Sequence, residues 1–204
     1  MLEAQDLTAR RGAATLFARL AFRVDAGRAL LITGANGTGK TTLLRILAGL
    51  TMPDEGKVRW RGEPVAPFAS QLREDVLFIG HAPALKDELT AEENLRSLVE
   101  LTATHPSDAE VSAALTSAAL DAQRVLPARV LSQGQRRRIG LARLGLARCP
   151  LWLLDEPATA LDSAGLGLLT RMIAQQLATG GTVVAATHQT LDLPAERIAA
   201  LALS

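Results

Sequence analysis

Hydrophobic and polar residues follow two patterns along the chain, and each pattern predicts one kind of secondary structure. Short apolar runs bounded by glycine or polar residues predict β-strands, whereas apolar residues three or four apart predict helices. Strands are predicted at residues 2–4, 21–24, 29–33, 57–60, 75–79, 151–155, 182–187 and 198–203. Helices are predicted at residues 41–48, from 90 to 120, from 132 onward and at 163–177. The first two strands indicate a small antiparallel sheet, and the later alternation of strands and helices is typical of an α/β fold.

The stretch from Thr90 to Leu120 differs in character from the rest of the chain. Its leucine and valine residues recur at helical spacing among glutamate, serine and alanine, and His105-Pro106-Ser107 divides it into two helices. This pattern predicts a helical insertion. A length of 204 residues fits one globular domain with such an insertion and leaves little room for a second core.

Composition and charge narrow the possible functions without naming one. The 22 basic and 21 acidic side chains nearly cancel and aromatic residues make up 3%, so nothing here favours a nucleic-acid partner. The longest apolar run, residues 198–203, is far shorter than the roughly 20 residues of a transmembrane helix, and the acidic N-terminus does not resemble a secretory signal. We therefore expect neither a transmembrane segment nor export. The single cysteine, Cys149, is interpreted as a buried small residue.

The first motif with clear chemistry is a glycine-rich loop between a predicted strand and a predicted helix. Its sequence is Gly34-Ala35-Asn36-Gly37-Thr38-Gly39-Lys40-Thr41. Such a loop curls so that backbone N–H groups and the helix N-terminus face phosphate oxygens. Lys40 is expected to reach the β- and γ-phosphates, and the Thr41 hydroxyl to coordinate Mg²⁺. The alternative, a glycine turn with a solvated lysine, is disfavoured because the required strand and helix are both predicted.

Two adjacent carboxylates follow the apolar strand at 151–154. A phosphate-loop enzyme needs a carboxylate at the end of a neighbouring strand to hold Mg²⁺, and Asp155 has this position. Glu156 comes directly after it and is expected to act on a water molecule in line with the γ-phosphate, as a general base or a positioning group.

A third motif, Leu131-Ser132-Gln133-Gly134-Gln135, opens the arginine-rich helix. Ser132 is interpreted as the helix N-cap and Gly134 as a position that lets a ligand approach, which together indicate a second site for an anion. For these residues alone, a capped surface helix is the simpler interpretation. The three arginines at 136–138 are interpreted as a solvated or dimer-facing surface rather than a nucleic-acid contact.

The order and spacing of these motifs closely resemble those of the ATP-binding subunits of ABC transporters, along essentially the whole chain. The resemblance implies a single ABC ATPase domain over residues 1–204. Its expected fold is α/β, with an ABC-type P-loop NTPase core, an N-terminal antiparallel β subdomain and a helical subdomain inserted at about 90–135. It also implies Mg²⁺ with ATP as substrate.

The resemblance assigns a role to each motif. The loop Gly34–Thr41, with Thr42, is the Walker A motif that binds ATP, and Asp155 is the Walker B acid. Glu156 is implied to be the catalytic carboxylate. Residues 160–162 are part of the D-loop, and His188 is the switch histidine that contacts the γ-phosphate.

In this family two ATP molecules are bound between two ATPase subunits. Leu131–Gln135 resembles the signature segment, whose phosphate contacts from Ser132 and Gly134 reach the nucleotide of the other subunit. The resemblance therefore implies an ATP-dependent homodimer. Gln133 replaces the usual glycine of the signature, and we expect this change to be tolerated.

Two further positions depart from the family pattern. His81 occupies the place of the glutamine that touches Mg²⁺ and responds to the membrane partner. It is either an altered equivalent of that Q-loop residue or a cap of its loop. The aromatic residue that stacks on adenine is missing, and Arg11, in its neighbourhood, either stacks on the base or leaves that role unfilled.

The segments Ile79–Lys86, Ala91–Leu95 and Ala186–Gln189 resemble most the ATP-binding subunits of the cytochrome c maturation system, which are known as haem exporter ATPases. This resemblance implies a peripheral protein on the cytoplasmic face of a bacterial inner membrane. Its expected partners are integral membrane permease subunits, with no nucleic acid. The helical stretch and the loop around His81 are expected to form the docking surface, with Leu85 exposed. Two alternatives remain: the ATPase of another small-molecule ABC exporter, and a soluble ABC ATPase acting on ribosomes or nucleic acid.

Overall fold

The structure, a computed structural model, describes residues 1–69, 72–102 and 104–204. The strands are β1 (Leu2–Arg11), β2 (Ala14–Val24), β3 (Ala29–Thr33), β4 (Glu55–Trp60), β5 (Glu63–Pro64), β6 (Val76–Ile79), β7 (Leu151–Asp155), β8 (Thr182–Ala186) and β9 (Ile198–Ala202). The helices are α1 (Lys40–Leu47), α2 (Leu72–Asp75), α3 (Ala91–Glu100), α4 (Asp108–Ser117), α5 (Gln133–Leu146) and α6 (Ser163–Ala178). No helix among the described residues has both the length and the apolar character needed to span a bilayer.

An antiparallel sheet with the order β2-β1-β4-β5 contains the N-terminal part of the chain. The sequence predicts this sheet but makes its first two strands too short. Pairing of β1 with β2 continues to Arg11 and Ala14, beside Gly12, whose φ of 62° suits a tight turn. The extended part carries arginine, alanine and threonine in place of an alternating apolar pattern, so its hydrogen bonding is not visible in the sequence.

A parallel sheet with the order β6-β7-β8-β3-β9 forms the centre of the molecule. Every residue of β7 and β8 is buried, which explains their almost unbroken apolar sequences. Because the strands are parallel, the loops that follow β3, β6, β7 and β8 leave the same edge of the sheet. These loops begin at Gly34, Gly80, Glu156 and Thr187.

The start of β6 differs from the prediction. Asp75 is predicted to open the strand, but it ends the short helix α2. Its carboxylate accepts hydrogen bonds from the indole of Trp60 at 2.9 Å and from Arg61 at 3.3 Å. These side-chain contacts hold Asp75 outside the sheet.

Helices α3, α4 and α5 share an apolar cluster that includes Leu95, Leu115 and Ile139. The predicted break before α4 is present, and Ser107 caps that helix in a reciprocal bond with Glu110. Ala103, which falls within the predicted helical stretch, lies outside the described residues. Leu85 packs against this cluster and is half-buried, so the expectation that it is exposed is wrong.

Candidate active site

The glycine-rich loop connects β3 to α1 at the edge of the parallel sheet. Gly34 has φ of 143°, and a Cβ there would come within 2.4 Å of the carbonyl oxygen of Leu203, so only glycine fits. Gly39 is the N-cap of α1, and no side chain accepts a hydrogen bond from the first turn. The N-terminal amides of α1 are thus available to an anion.

Lys40, the first residue of α1, lies inside this loop with 7% of its surface exposed. Its ammonium donates to the carbonyl oxygens of Gly34 at 2.6 Å and Ala35 at 3.2 Å. It also lies 3.1 Å from Nε2 of His188. The charge is therefore held at the centre of the loop, where a phosphate group would replace carbonyl oxygens as its partner.

Thr41 and Asp155 are in direct contact although they are far apart in the sequence. The Thr41 hydroxyl donates to Oδ2 of Asp155 at 2.8 Å, and Asp155 is only 1% exposed. A hydroxyl and a carboxylate are oxygen ligands of the kind that Mg²⁺ prefers. The donor set present at this point fits a magnesium ion that binds together with phosphates.

Glu156 turns the chain sharply at the end of β7. Its φ is 50°, a left-handed conformation that is unfavourable for glutamate, and its N–H donates to the carbonyl oxygen of Ala186 at 2.9 Å. Oε1 of Glu156 lies 3.4 Å from Nε2 of His188. The turn therefore places the carboxylate at the same edge as Lys40, where it can accept a proton from a water molecule.

These groups surround one cavity of about 520 Å³. Its walls contain most of the site residues predicted from the sequence, and also His81 and Arg11, two of the positions that depart from the family pattern. The lining residues are Arg11, Leu16, Asn36, Gly37, Gly39, Lys40, Thr41, Thr42, His81, Asp155, Glu156, Thr159 and His188. His81 and Arg11 are both solvent-exposed. Contact of His81 with Mg²⁺ and stacking of Arg11 on adenine stay predictions.

Ser132 and Gly134 lie in a different cavity of about 340 Å³, with Ala160 and Asp162 of the predicted D-loop. Ser132 caps α5, since its hydroxyl accepts from the N–H of Gln135 at 3.2 Å. The two cavities share no lining residue. A single chain therefore does not bring Ser132 to the phosphate loop.

The arginines at 136–138 are predicted to form a solvated or dimer-facing surface; their burial contradicts the solvated alternative, and the dimer-facing one stays a prediction. Arg136 and Arg138 are 20% and 17% exposed and pair with Asp87 at 2.6 Å and Asp162 at 2.7 Å, respectively. Arg137 is buried, and its guanidinium donates to the backbone carbonyls of His81 and Asp155, two residues that line the cavity of Lys40. Burial lowers its pKa, while neighbouring carboxylates act to raise it.

The contacts of Arg137 are not predicted from the sequence, although the sequence contains one signal of its burial. Arg137 lies four residues before Leu141 and seven before Leu144, so all three share one helix face, and both leucines are buried. An arginine on the apolar face of a helix indicates that its guanidinium is paired either with a buried carboxylate or with a cluster of buried carbonyl oxygens.

Comparisons with known proteins agree with this geometry. Residues 17–159 match the family model described as ABC transporter. The chain is 47% identical to the cytochrome c biogenesis ATP-binding export protein CcmA 2 of Salmonella paratyphi A over 100% of this chain and 97% of that protein. It is 44% identical to the corresponding protein of Escherichia coli K12, again over 100% and 97%. The protein of the same name from Nitrosomonas europaea is 43% identical over 100% and 96%.

Solved structures give the same fold. An ATP-binding protein from Pyrococcus furiosus described as a putative ABC transporter has a TM-score of 0.82 at 22% identity and covers 99% of this chain and 96% of its own. A dimeric bacterial ABC transporter cassette has a TM-score of 0.80 at 26% identity, over 99% and 94%. A dimeric cassette bound to ADP and phosphate has a TM-score of 0.78 at 26% identity, over 93% and 88%. Together with the identities to the export proteins, these matches establish that the chain belongs to the ABC transporter family of ATPases, among the cytochrome c biogenesis ATP-binding export proteins.

Proposed function

We propose that this protein hydrolyses Mg-ATP as the ATPase subunit of a membrane complex that exports haem, or hands it over, in cytochrome c maturation. The observation that carries the proposal is the single cavity in which Lys40, the Thr41–Asp155 pair and Glu156 meet. The link to cytochrome c comes from relatives that are 43–47% identical along the whole chain and are named for this process.

ATP binding is assigned to the loop Gly34–Thr41 together with Thr42. The free amides of the first turn of α1 bind phosphate oxygens, and Lys40 exchanges its bonds to Gly34 and Ala35 for bonds to the β- and γ-phosphates. Mg²⁺, held by Thr41 and by Asp155, would neutralise phosphate charge. Arg11 lies at the cavity wall, where its guanidinium can stack on adenine.

Hydrolysis is assigned to Glu156 and His188. Glu156 accepts a proton from a water molecule as the water oxygen attacks the γ-phosphorus and ADP leaves. Nε2 of His188 lies near both Lys40 and Glu156, so this side chain can contact the γ-phosphate and orient the carboxylate. His81, which also lines the cavity, is proposed to sense the membrane partner in place of the usual glutamine.

A second copy of the chain completes each site in this proposal. Ser132 and Gly134 lie at the N-terminus of α5 in a separate cavity, so they can reach a γ-phosphate only in another subunit. The amides of that turn and the Ser132 hydroxyl then face the nucleotide. Solved cassettes of the same fold are dimeric.

An apolar groove of about 270 Å³ is the proposed contact with the membrane subunits. Phe68 and Leu101, which are 76% and 65% exposed, lie in its wall, and Phe78 of β6 lines it two residues before the loop that carries His81. Large exposed apolar side chains grouped in one groove indicate a protein contact. A cytoplasmic segment of an integral membrane permease subunit is the proposed occupant, with the ATPase peripheral on the cytoplasmic face of the inner membrane.

Deletion of the gene in its own bacterium tests the proposed function. We expect c-type cytochromes to disappear, wild-type protein to restore them and Glu156→Gln protein, present at equal level, to fail. Normal c-type cytochromes in the deletion strain would favour another small-molecule exporter. Co-purification with RNA in place of membrane proteins would favour the ribosome or nucleic-acid alternative.

A further inference from the structure

The guanidinium of Arg137 connects two loops that line the ATP cavity. An arginine has five N–H donors, and all five are used here, each on a backbone carbonyl oxygen. The acceptors are Pro157 for Nε at 3.3 Å, Gly80 at 3.2 Å and His81 at 2.9 Å for Nη1, and Asp155 at 3.1 Å and Glu156 for Nη2. Gly80 and His81 belong to the loop that follows β6. Asp155 is the last residue of β7, and Glu156 and Pro157 begin the loop that follows it.

This arrangement is an unusual use of a charged side chain. Arg137 is 4% exposed, and among the described residues it forms no ion pair within 4.0 Å. Burying a charge that has no close ionic partner is unfavourable, and an apolar residue would suit its helix face beside Leu141 and Leu144. The buried charge therefore indicates a role in fixing the two loops beyond a contribution to the core.

The contact to Glu156 is the most informative of the five. Glu156 has a left-handed backbone with φ of 50°, which glutamate does not adopt without support. Its N–H donates to the carbonyl of Ala186, and its own carbonyl accepts from the N–H of Thr159 at 3.2 Å and from the guanidinium of Arg137. The peptide groups on both sides of the carboxylate are thus fixed by three hydrogen bonds, and Arg137 supplies the one that comes from a distant helix.

We propose that Arg137 is a positioning residue for ATP hydrolysis, which places the Glu156 carboxylate and ties it to the His81 loop. Because Arg137 belongs to α5, a displacement of that helix would move both loops of the same chain. Ser132 lies at the N-terminus of α5. If contact with a partner's nucleotide displaces this helix, Arg137 would transmit the displacement to Glu156. This inference rests on the proposed ATPase function.

Two substitutions of Arg137 and one control test the proposal. Arg137→Lys keeps the charge but offers three donors for five carbonyls, and Arg137→Gln removes the charge. Arg148→Gln is the matched control, because Arg148 is 83% exposed and lies beyond the end of α5. We expect kcat to fall by roughly tenfold or more in both Arg137 variants, as for a misplaced catalytic group. KM for ATP should change by less than about threefold because the phosphate loop is untouched, and the control should match wild type.

A double-mutant cycle separates positioning from stability. If Arg137 acts through Glu156, Arg137→Lys should slow single-turnover hydrolysis much less in a Glu156→Gln background than in the wild type. Equal effects in both backgrounds, or wild-type kcat in Arg137→Lys, would overturn the proposal. Failure of both Arg137 variants to fold, judged by circular dichroism, would assign the residue to stability and also overturn it. The wild-type rate is the separate test of the proposed function: active wild type with equally active Arg137→Lys contradicts the positioning role alone.

Discussion

The Thr41 hydroxyl donates a 2.8 Å hydrogen bond to Oδ2 of Asp155, joining the first turn of α1 to the end of β7. Asp155 is 1% exposed, and this bond gives one of its carboxylate oxygens a partner inside the protein. The same two groups are the proposed ligands of Mg²⁺. Their direct contact places the two oxygen donors side by side.

Thr41→Val should remove this donor and most of the magnesium dependence of ATP binding. Wild type should lose ATP affinity when Mg²⁺ is chelated, whereas the variant should bind ATP weakly with or without the ion. Leaving the buried carboxylate oxygen unpaired should also lower stability by about 1–3 kcal/mol. Calorimetric titration of ATP with and without Mg²⁺ is the measurement. A variant with full magnesium dependence would show that the hydroxyl is not a ligand.

Glu156→Gln should keep ATP bound but slow its hydrolysis by roughly two to four decades, the usual contribution of a general base. The amide keeps the size of the side chain but cannot accept the proton from water. Lys40→Ala is the contrasting variant: it removes charge-assisted contacts to phosphate and should abolish most ATP affinity. Nucleotide affinity and steady-state phosphate release distinguish the two. Unchanged turnover by Glu156→Gln would place the base elsewhere.

Ser132→Arg should prevent the ATP-dependent dimer without weakening binding of ATP to the monomer. Ser132 lies outside the cavity that contains Lys40, so its replacement does not disturb that chain's own phosphate loop. At the dimer interface, a bulky charged side chain would collide with the partner's site. Sedimentation with ATP in the Glu156→Gln background measures the outcome. A stable dimer of the Ser132→Arg protein would refute the shared site.

The positions of the candidate site residues can largely be predicted from the sequence, because they follow from the arrangement of the strands in the sheet. Apolar runs at β3, β7 and β8 predict buried strands, and the parallel arrangement brings the residues after them to one edge. The residues alone predict that Lys40, Asp155 and Glu156 meet, the family resemblance adds His188, and the structure places all four around one cavity.

Three residues whose positions differ from the prediction, or were not predicted, share one physical cause. Arg137 bonds backbone carbonyls in loops far away in the chain, and carbonyls carry no sequence signal. The same holds for Asp75, which accepts from the distant indole of Trp60, and for Leu85, which is covered by the helical cluster. Local patterns give the type of each element, whereas contacts between distant elements decide which side chains are buried.

Glu92 should make the stability of the helical insertion depend on pH. Hydrogen bonds from Arg124 and then Arg96 hold the pKa of Glu92 below its ordinary value of 4.5. The folded state therefore favours the ionised form. Its contribution is fully present above about pH 4.5 and is lost as the pH falls through the lowered pKa of the folded state.

Glu92→Gln should accordingly lower the stability at neutral pH by about 1 kcal/mol, the scale of partly exposed ion pairs. Thermal unfolding of wild type and variant from pH 7 to pH 3 should show a gap in Tm that closes in acid. Glu88→Gln is the control, because Glu88 is exposed and makes no ion pair among the described residues. A gap that stays constant with pH would mean that packing, and not the charge of Glu92, is responsible.

Docking to the membrane subunits should depend on the groove that contains Phe68 and Leu101. Both side chains are exposed, so Phe68→Asp or Leu101→Asp should leave folding and ATP affinity nearly unchanged. In the complex each would bury an unpaired charge, which costs enough to prevent assembly.

Met52→Asp is the matched control: Met52 is 70% exposed and lies outside the groove. Leu85→Asp is unsuitable, because Leu85 packs in the helical cluster and its replacement would weaken the fold itself. Co-purification from membranes should therefore fail for the two groove variants and succeed for Met52→Asp, and membrane association by all three would exclude this groove as the docking site.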